Sequence, residues 1–172
     1  MNYYIADLHL GHKNIIRLSN RPFKSVEEMD KSIIDTWNKT VGPDDDVYII
    51  GDLIYRSPNP EQYLKALGGR KHLVKGNHDS FIKNRALHRY FESIDDLKII
   101  QDDGNQVVLF HYPMAEWPGY YRDSILLWGH LHNNDNEAAK IMRQLKNNYN
   151  VGVDVIGLAP LTLKQIMERS KT

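Results

Sequence analysis

Nine residues of this chain offer oxygen or imidazole donors just past a short apolar run. Asp7 and His9 follow Tyr3-Tyr4-Ile5-Ala6. Asp52 follows Val47-Tyr48-Ile49-Ile50 and Gly51. Asn77, His78 and Asp79 follow His72-Leu73-Val74 by way of Lys75 and Gly76. His111 follows the run 106–110, and His130 and His132 follow Ile125-Leu126-Leu127-Trp128 and Gly129. In Asp7-x-His9 and His130-x-His132 the i, i+2 spacing puts both side chains on one side of an extended backbone, where both can reach one metal cluster. Asn77 is an uncharged oxygen donor, His78 titrates near neutral pH, and Asp79 can orient a histidine. Glycine before Asp52, Asn77 and His130 permits sharp turns. Each motif alone is bland: Gly-Asp is a common turn, and a lone histidine is more often structural. Together, at successive strand ends of a chain without cysteine, they read as a metal site of imidazole, carboxylate and amide donors.

The stretches between these positions supply the elements that must hold them. Residues 3–6 form a strand candidate and 13–18 a short helix. Ser25 and Glu28 make a capping box, and the helix it opens carries Val26, Met29, Ile33 and Trp37 at helical spacing. Residues 47–50 are a second strand. Asn59-Pro60 reads as N-cap and first-turn proline, opening a helix with Tyr63, Leu64 and Leu67 buried and Gly68-Gly69 closing it. A third strand, 72–74, leads to a helix predicted over 81–90. Then the rhythm changes: 97–101 and 106–110 read as a hairpin about Asp102-Asp103-Gly104-Asn105. Residues 116–123 form an aromatic-rich loop, 125–128 a strand, 133–148 a polar helix or loop, and 150–155 a last strand. Thr162 and Gln165 make a second capping box before a final helix. Strand–helix alternation followed by a hairpin points to an α/β (α+β) fold, either one mixed sheet or two packed sheets with helices outside.

Composition narrows the options. The 172 residues suit one domain over 1–172, large enough to bury roughly 70% of its unfolded surface. Lys+Arg and Asp+Glu both number 22, a balance that argues against strong non-specific nucleic-acid binding. The absence of cysteine excludes disulfides and thiolate metal sites. No apolar run reaches about 18 residues, and no basic stretch followed by an apolar one opens the chain. The expectation is a soluble, cytoplasmic protein without a cleaved signal. Of the remaining histidines, His72 and His88 read as structural or surface residues. His12 lies close enough to the first motif to touch substrate or ligands.

In order, Asp7-x-His9, Gly51-Asp52, Gly76-Asn77-His78-Asp79, His111 and Gly129-His130-x-His132 resemble the calcineurin-like metallophosphoesterase superfamily. The resemblance spans residues 7–132. The run from Asp7 to Ile16, the segment His111-Tyr112-Pro113-Met114, and Asn150-Val151-Gly152-Val153-Asp154 followed by Pro160-Leu161-Thr162 are similar to its small, single-domain bacterial and phage members. The resemblance implies a four-layer αββα sandwich of two mixed β-sheets flanked by helices, with two divalent metal ions. Carried over position by position, it implies that Asp7, His9 and His132 hold one ion and Asn77, His111 and His130 the other, with Asp52 bridging both. His78 is left off the metal as the acid or phosphate-stabilising group, and Asp79 takes the position that orients it; these two are the implied catalytic residues. Mn²⁺ is the implied ion, and Fe, Zn, Co or Ni suit the same N/O donors. Phe110 stands where larger relatives often have glycine, which alters the wall beside His111.

The implied activity is hydrolysis of a phosphoester by a metal-bridging hydroxide, phosphodiesters ahead of monoesters. Neutral ligands at Asn77 and four histidines keep such a centre positive toward an anionic substrate. Substrate contacts are open. Arg56 could meet a phosphate or be a surface charge. Trp117 and Tyr120 could stack a base or belong to a packed lid. Arg17, Arg21 and Lys24 form a modest basic cluster near the first motif, with a solvated loop as the plain alternative. The expected partner is a phosphoester, a nucleotide among the candidates, with no membrane and a monomer or homodimer. Two other readings stand beside it: a nuclease or nucleic-acid end-processing enzyme, and a non-catalytic scaffold of the same fold.

Overall fold

The apolar runs fold into two sheets, and their alternation decides what lies on each side. A computed structural model describes residues 1–169. β1 (Asn2–Ile5), β2 (Asp46–Ile50), β3 (Arg70–Val74) and β4 (Ser93–Asp95) form one sheet in that order, parallel throughout. β5 (Lys98–Asp102), β6 (Asn105–Leu109), β7 (Ile125–Trp128) and β8 (Asn148–Asn150) form the other, with β5–β6 antiparallel and the rest parallel. Both sheets were expected to be mixed. Only the second is, because helical crossovers link β1 to β3 whereas a tight turn links β5 to β6. The antiparallel contact at β1 is an isolated bridge, Tyr4 to Leu161.

Along β6 and β7, Val107, Leu109, Ile125 and Leu127 face the core shared with β1–β3. The intervening Val108, Leu126 and Trp128 face outward, under Ala139 and Met142 of α4 (Glu137–Gln144). On the other side Met29, Ile33 and Trp37 of α2 (Val26–Thr40) and Leu64 of α3 (Pro60–Ala66) close over the first sheet. Strands with both faces buried must read as continuous apolar runs, and these do. The result is an αββα sandwich. Among the described residues no helix is long and apolar enough to cross a membrane.

Both helix caps form, and the Thr162 box is reciprocal, whereas the Glu28 carboxylate accepts from Lys24 N–H (2.8 Å) rather than from Ser25 N–H. Glu28 N–H donates to Ser25 Oγ (3.1 Å), and Gln165 Oε1 accepts from Thr162 N–H (2.9 Å) ahead of α6 (Leu163–Arg169). α1 (Lys13–Leu18) also forms as expected. Three elements differ, the first being β4, which pairs with β3 where the sequence suggests no strand. The helix predicted over 81–90 is a pair of 3-10 turns, Ser80–Lys83 and Arg85–Tyr90, because Asn84 Oδ1 caps Ala86 N–H (3.1 Å) and breaks the run. The strand predicted over 150–155 ends with β8 at Asn150; Val153–Ile156 is a helical turn, α5. Between them the backbone crosses from one sheet to the other: Val151 N–H donates to Trp128 O (2.8 Å), and Ala6 N–H donates to Val151 O (2.9 Å). That stitch joins the two sheets at the edge where the donors gather.

Candidate metal centre

The C-terminal ends of β1, β2, β3, β6 and β7 meet at one edge of the sandwich, where open α/β sheets place their chemistry. β5 runs the opposite way and brings no candidate residue there. The loops after β1 and β2 continue side by side beyond the sheet: Asp7 N–H donates to Gly51 O (3.1 Å), His9 N–H to Asp52 O (2.9 Å) and Leu10 N–H to Leu53 O (3.0 Å). Asp7, His9, Asp52, His130 and His132 all hold φ between 51° and 69°. Residues with side chains adopt this left-handed conformation uncommonly, and it concentrates at functional sites. The backbone at both i, i+2 pairs is therefore kinked rather than extended, yet the side chains still converge. Donor atoms of Asp7, His9 and His132 lie within 4.8 Å of one another, as do those of Asp7, Asp52 and His111.

Asp52 sits between the groups. Its Oδ2 is 3.5 Å from His9 Nε2 and 3.5 Å from His111 Nε2, while its Oδ1 accepts from His78 N–H (2.8 Å). Asn77 Oδ1 is 3.1 Å from both His111 Nε2 and His130 Nδ1. His111 Nδ1 donates to Ile50 O (2.9 Å), which in the neutral ring leaves Nε2 as a lone pair. Lone pairs of His111, Asn77 and Asp52 then point at one another, an arrangement that a cation between them resolves. Asp7 and Asp52 are buried carboxylates, and the nearby Arg21 donates to the Asp7 backbone oxygen rather than to either of them. Both ring nitrogens of His9 are buried without a hydrogen-bond partner among the described residues, which a native structure needs a reason for. Buried anions, an unpartnered imidazole and converging lone pairs fit a cation.

The electrostatics agree. Burial pushes the Asp7 carboxyl up to about 6 and His9 down to about 3, so His9 is neutral and ready to ligate at ordinary pH. Burial also works upward on Asp52, but the hydrogen bond and charge of His111 and the charge of His9 outweigh it and hold Asp52 at about 2. Burial works downward on His111, and the Asp52 carboxylate outweighs it, leaving the ring raised.

Comparison with known proteins agrees with this geometry. A family model for calcineurin-like phosphoesterases matches residues 3–134. The chain belongs to the calcineurin-like phosphoesterase family. Its relatives include an uncharacterized protein of Methanocaldococcus jannaschii, 32% identical over 96% of this chain and 89% of that one. The Gene 66 protein of Mycobacterium phage L5 is 30% identical over 90% of this chain and 87% of its own. A crystal structure of a protein of unknown function from Aquifex aeolicus superposes with a TM-score of 0.79 at 29% identity, covering 98% of each chain.

Against the expectations for this phosphoesterase, several residues take other places. Asp79 does not reach the His78 ring: its carboxylate accepts from the N–H groups of Asp52 (2.9 Å), Leu53 (2.8 Å) and Gly76 (2.8 Å). It ties the second and third motif loops together, and three backbone donors leave it nothing for His78. Trp117 is buried under the second sheet's outer core, donating to Ser124 O (3.2 Å) with Tyr120 edge-on at 4.7 Å. The 116–123 loop is thus packed on its own aromatics rather than laid over the donors. Tyr112 stands at the centre instead, its ring 4.5 Å from His130 and 5.1 Å from His111. His12 is buried 5.3 Å from His9. Arg56 is exposed and sits over the Tyr55 ring at 5.3 Å. His72 bonds Asp46 and Ser93 in the sheet, and His88 bonds the Ile82 carbonyl.

Two residues gain a role at the centre that the sequence did not give them: Asp154, quoted only within the segment 150–154, and Arg21, expected only in a modest basic cluster. Asp154 Oδ2 is 2.7 Å from His132 Nδ1, and burial, though it works upward, is outweighed by His132 and Arg21, which hold that carboxyl low. Arg21 is buried, donating to Asp154 (2.8 and 2.9 Å) and to the carbonyls of Asp7 (2.7 Å) and Leu8 (2.8 Å). A carboxylate behind a ligating histidine fixes its tautomer. A lone aspartate inside the apolar stretch Val151–Ile156 was the available signal.

Proposed function

We propose that this chain hydrolyses phosphodiesters, and monoesters less well, with two divalent ions, Mn²⁺ first among them. The first ion is assigned to Asp7, His9 and His132, the second to Asn77, His111 and His130, and Asp52 is shared. The observation that carries this reading is Asp52 Oδ2, equidistant at 3.5 Å from a histidine of each group. Bound ions of this kind supply Lewis-acid activation of water and neutralise charge on the phosphoryl oxygens.

The chain's own residues do the rest. Asp154 and the Ile50 carbonyl hold the rings of His132 and His111 in the tautomers that face the donors. The His78 N–H fixes the Asp52 carboxylate through Oδ1, leaving Oδ2 toward His9 and His111, where it would be shared between the two ions. The His78 imidazole is assigned as the acid. Water's oxygen bonds to phosphorus, the bond from phosphorus to the leaving oxygen breaks, and that oxygen takes its proton from His78 while water's proton passes to solvent. Exposed Asn77 and Tyr112 leave this edge open, which supports a substrate esterified on two sides.

Metal analysis of protein purified without chelator comes first. It is followed by turnover of bis-p-nitrophenyl phosphate against p-nitrophenyl phosphate with Mn²⁺, alongside 2′,3′-cyclic nucleotides and a labelled oligonucleotide. Asp52→Asn is expected to lose metal and rate together. Metal-loaded protein that hydrolyses none of these substrates would overturn the reading, and preference for the oligonucleotide would move it to a nuclease.

A further inference from the structure

With Asp79 committed to backbone N–H groups, the His78 ring has no hydrogen bond to hold it among the described residues. Among the described residues its side chain meets two rings instead: His9 at 5.5 Å and Tyr55 at 5.1 Å, the latter edge-on at 67°. Tyr55 is itself immobilised. It stacks nearly flat on His12, with centroids 3.6 Å apart and planes 17° apart. The Arg56 guanidinium lies over its ring at 5.3 Å. Its backbone N–H donates to Leu10 O (3.0 Å), extending the lacing of the first two motif loops. His12 is buried with Nδ1 unpartnered among the described residues, so packing rather than hydrogen bonding fixes it at that nitrogen.

From this clamp we infer that Tyr55, held on His12, is the positioning residue for His78 in the phosphoester hydrolysis proposed above, on which the inference rests. Edge-to-face ring pairs have a preferred geometry and contribute beyond their buried area. A ring pinned by its stack on His12 and set edge-on to His78 restricts where that imidazole can swing. The restriction matters because misplacing a reacting group by about 1 Å costs on the order of a hundredfold in rate. The tyrosine hydroxyl has no part in this, so phenylalanine should serve. Tyr55 differs from the nine residues singled out at strand ends: it acts through the acid rather than on the metal or the reacting atoms.

The test is a double-mutant cycle on the metal-loaded enzyme. Tyr55→Ala is expected to lower kcat by roughly ten- to a hundredfold with metal content unchanged, and Tyr55→Phe to restore most of it. In a His78→Ala background, Tyr55→Ala should cost little more. The loss should be larger for diphenyl phosphate than for bis-p-nitrophenyl phosphate, whose better leaving group needs the proton less. An activity-independent readout is the ¹H–¹³C correlation of the His78 ring in metal-free protein, which Tyr55→Ala should shift and broaden while Tyr55→Phe leaves it near its wild-type position. An equal loss in both His78 backgrounds, an unmoved His78 resonance, or Tyr55→Phe as damaging as Tyr55→Ala would each overturn the inference. Wild-type protein without any turnover would instead sink the phosphoesterase reading. Turnover that Tyr55→Ala leaves intact sinks only the role of Tyr55.

Discussion

Asp7 carries the tightest coupling between burial and binding. It is fully buried, accepts His130 N–H with both oxygens (3.1 and 2.9 Å), and shares donor clusters with His9, His132, Asp52 and His111. Burial raises its carboxyl from 3.8 to about 6 in the metal-free protein. An ion must displace that proton below pH 6, and the raised His111 ring resists ligation in the same direction. Metal affinity is therefore expected to fall as pH drops through about 6, by up to about tenfold per pH unit for each proton displaced. Metal titrations at pH 5 and 7.5 check this. The metal-free protein should show the opposite sign in its stability. Its folded state keeps the Asp7 proton up to about pH 6, whereas the unfolded chain releases it near 3.8. This contribution is therefore lost as pH rises through that window.

At the scale of elements, the site depends on how closely loops approach. A Cβ at Gly76 would collide with Asp52 Oδ1 and stand 2.5 Å from the Asp52 backbone nitrogen. The third motif loop lies against the second with no room for a side chain, and Asp79 bonds to both. Gly76→Ala is expected to displace Asp52, cost roughly 1–3 kcal/mol by overpacking, and lower metal stoichiometry. Gly104→Ala in the β5–β6 turn is the control. Its φ of +78° makes alanine costly there, by about 1–2 kcal/mol, but no described residue lies within 4 Å of the new Cβ. Urea unfolding should register both substitutions, and metal content only the first.

Across the whole molecule, the last sheet strand holds the first motif in place. Asp154 follows β8, and Arg21 precedes α2, 133 positions earlier. Their buried pair joins His132 to the backbone of Asp7 and Leu8. Asp154→Asn leaves Arg21 buried without its counter-charge and His132 without its carboxylate. It is expected to weaken metal binding about ten- to a hundredfold and to destabilise the fold by about 3–5 kcal/mol. Calorimetric titration and denaturant unfolding of the same variant would separate the two effects. A loss of stability with unchanged affinity would leave Asp154 a structural partner of Arg21 alone.

Much of this was legible in the chain itself. Apolar runs buried on both faces announce their strands without tertiary information, and the donors at their ends carry the pattern of the family. Capping at Ser25 and Thr162 is local hydrogen bonding, so it too reads directly from spacing. What adjacency could not decide is which group a side chain spends its hydrogen bonds on. Asp79 lies next to His78 in sequence but accepts from Gly76, Asp52 and Leu53. Trp117 has the chemistry to stack a base but is claimed by the core beneath it. Arg21, Asp154 and Tyr55 gain their places only when loops distant in sequence pack together. The donors that gather at the strand ends, and that could hold a metal, were thus determined by the sequence. The partners that orient them were decided by tertiary structure, because a buried polar group takes whichever partner the fold brings within reach.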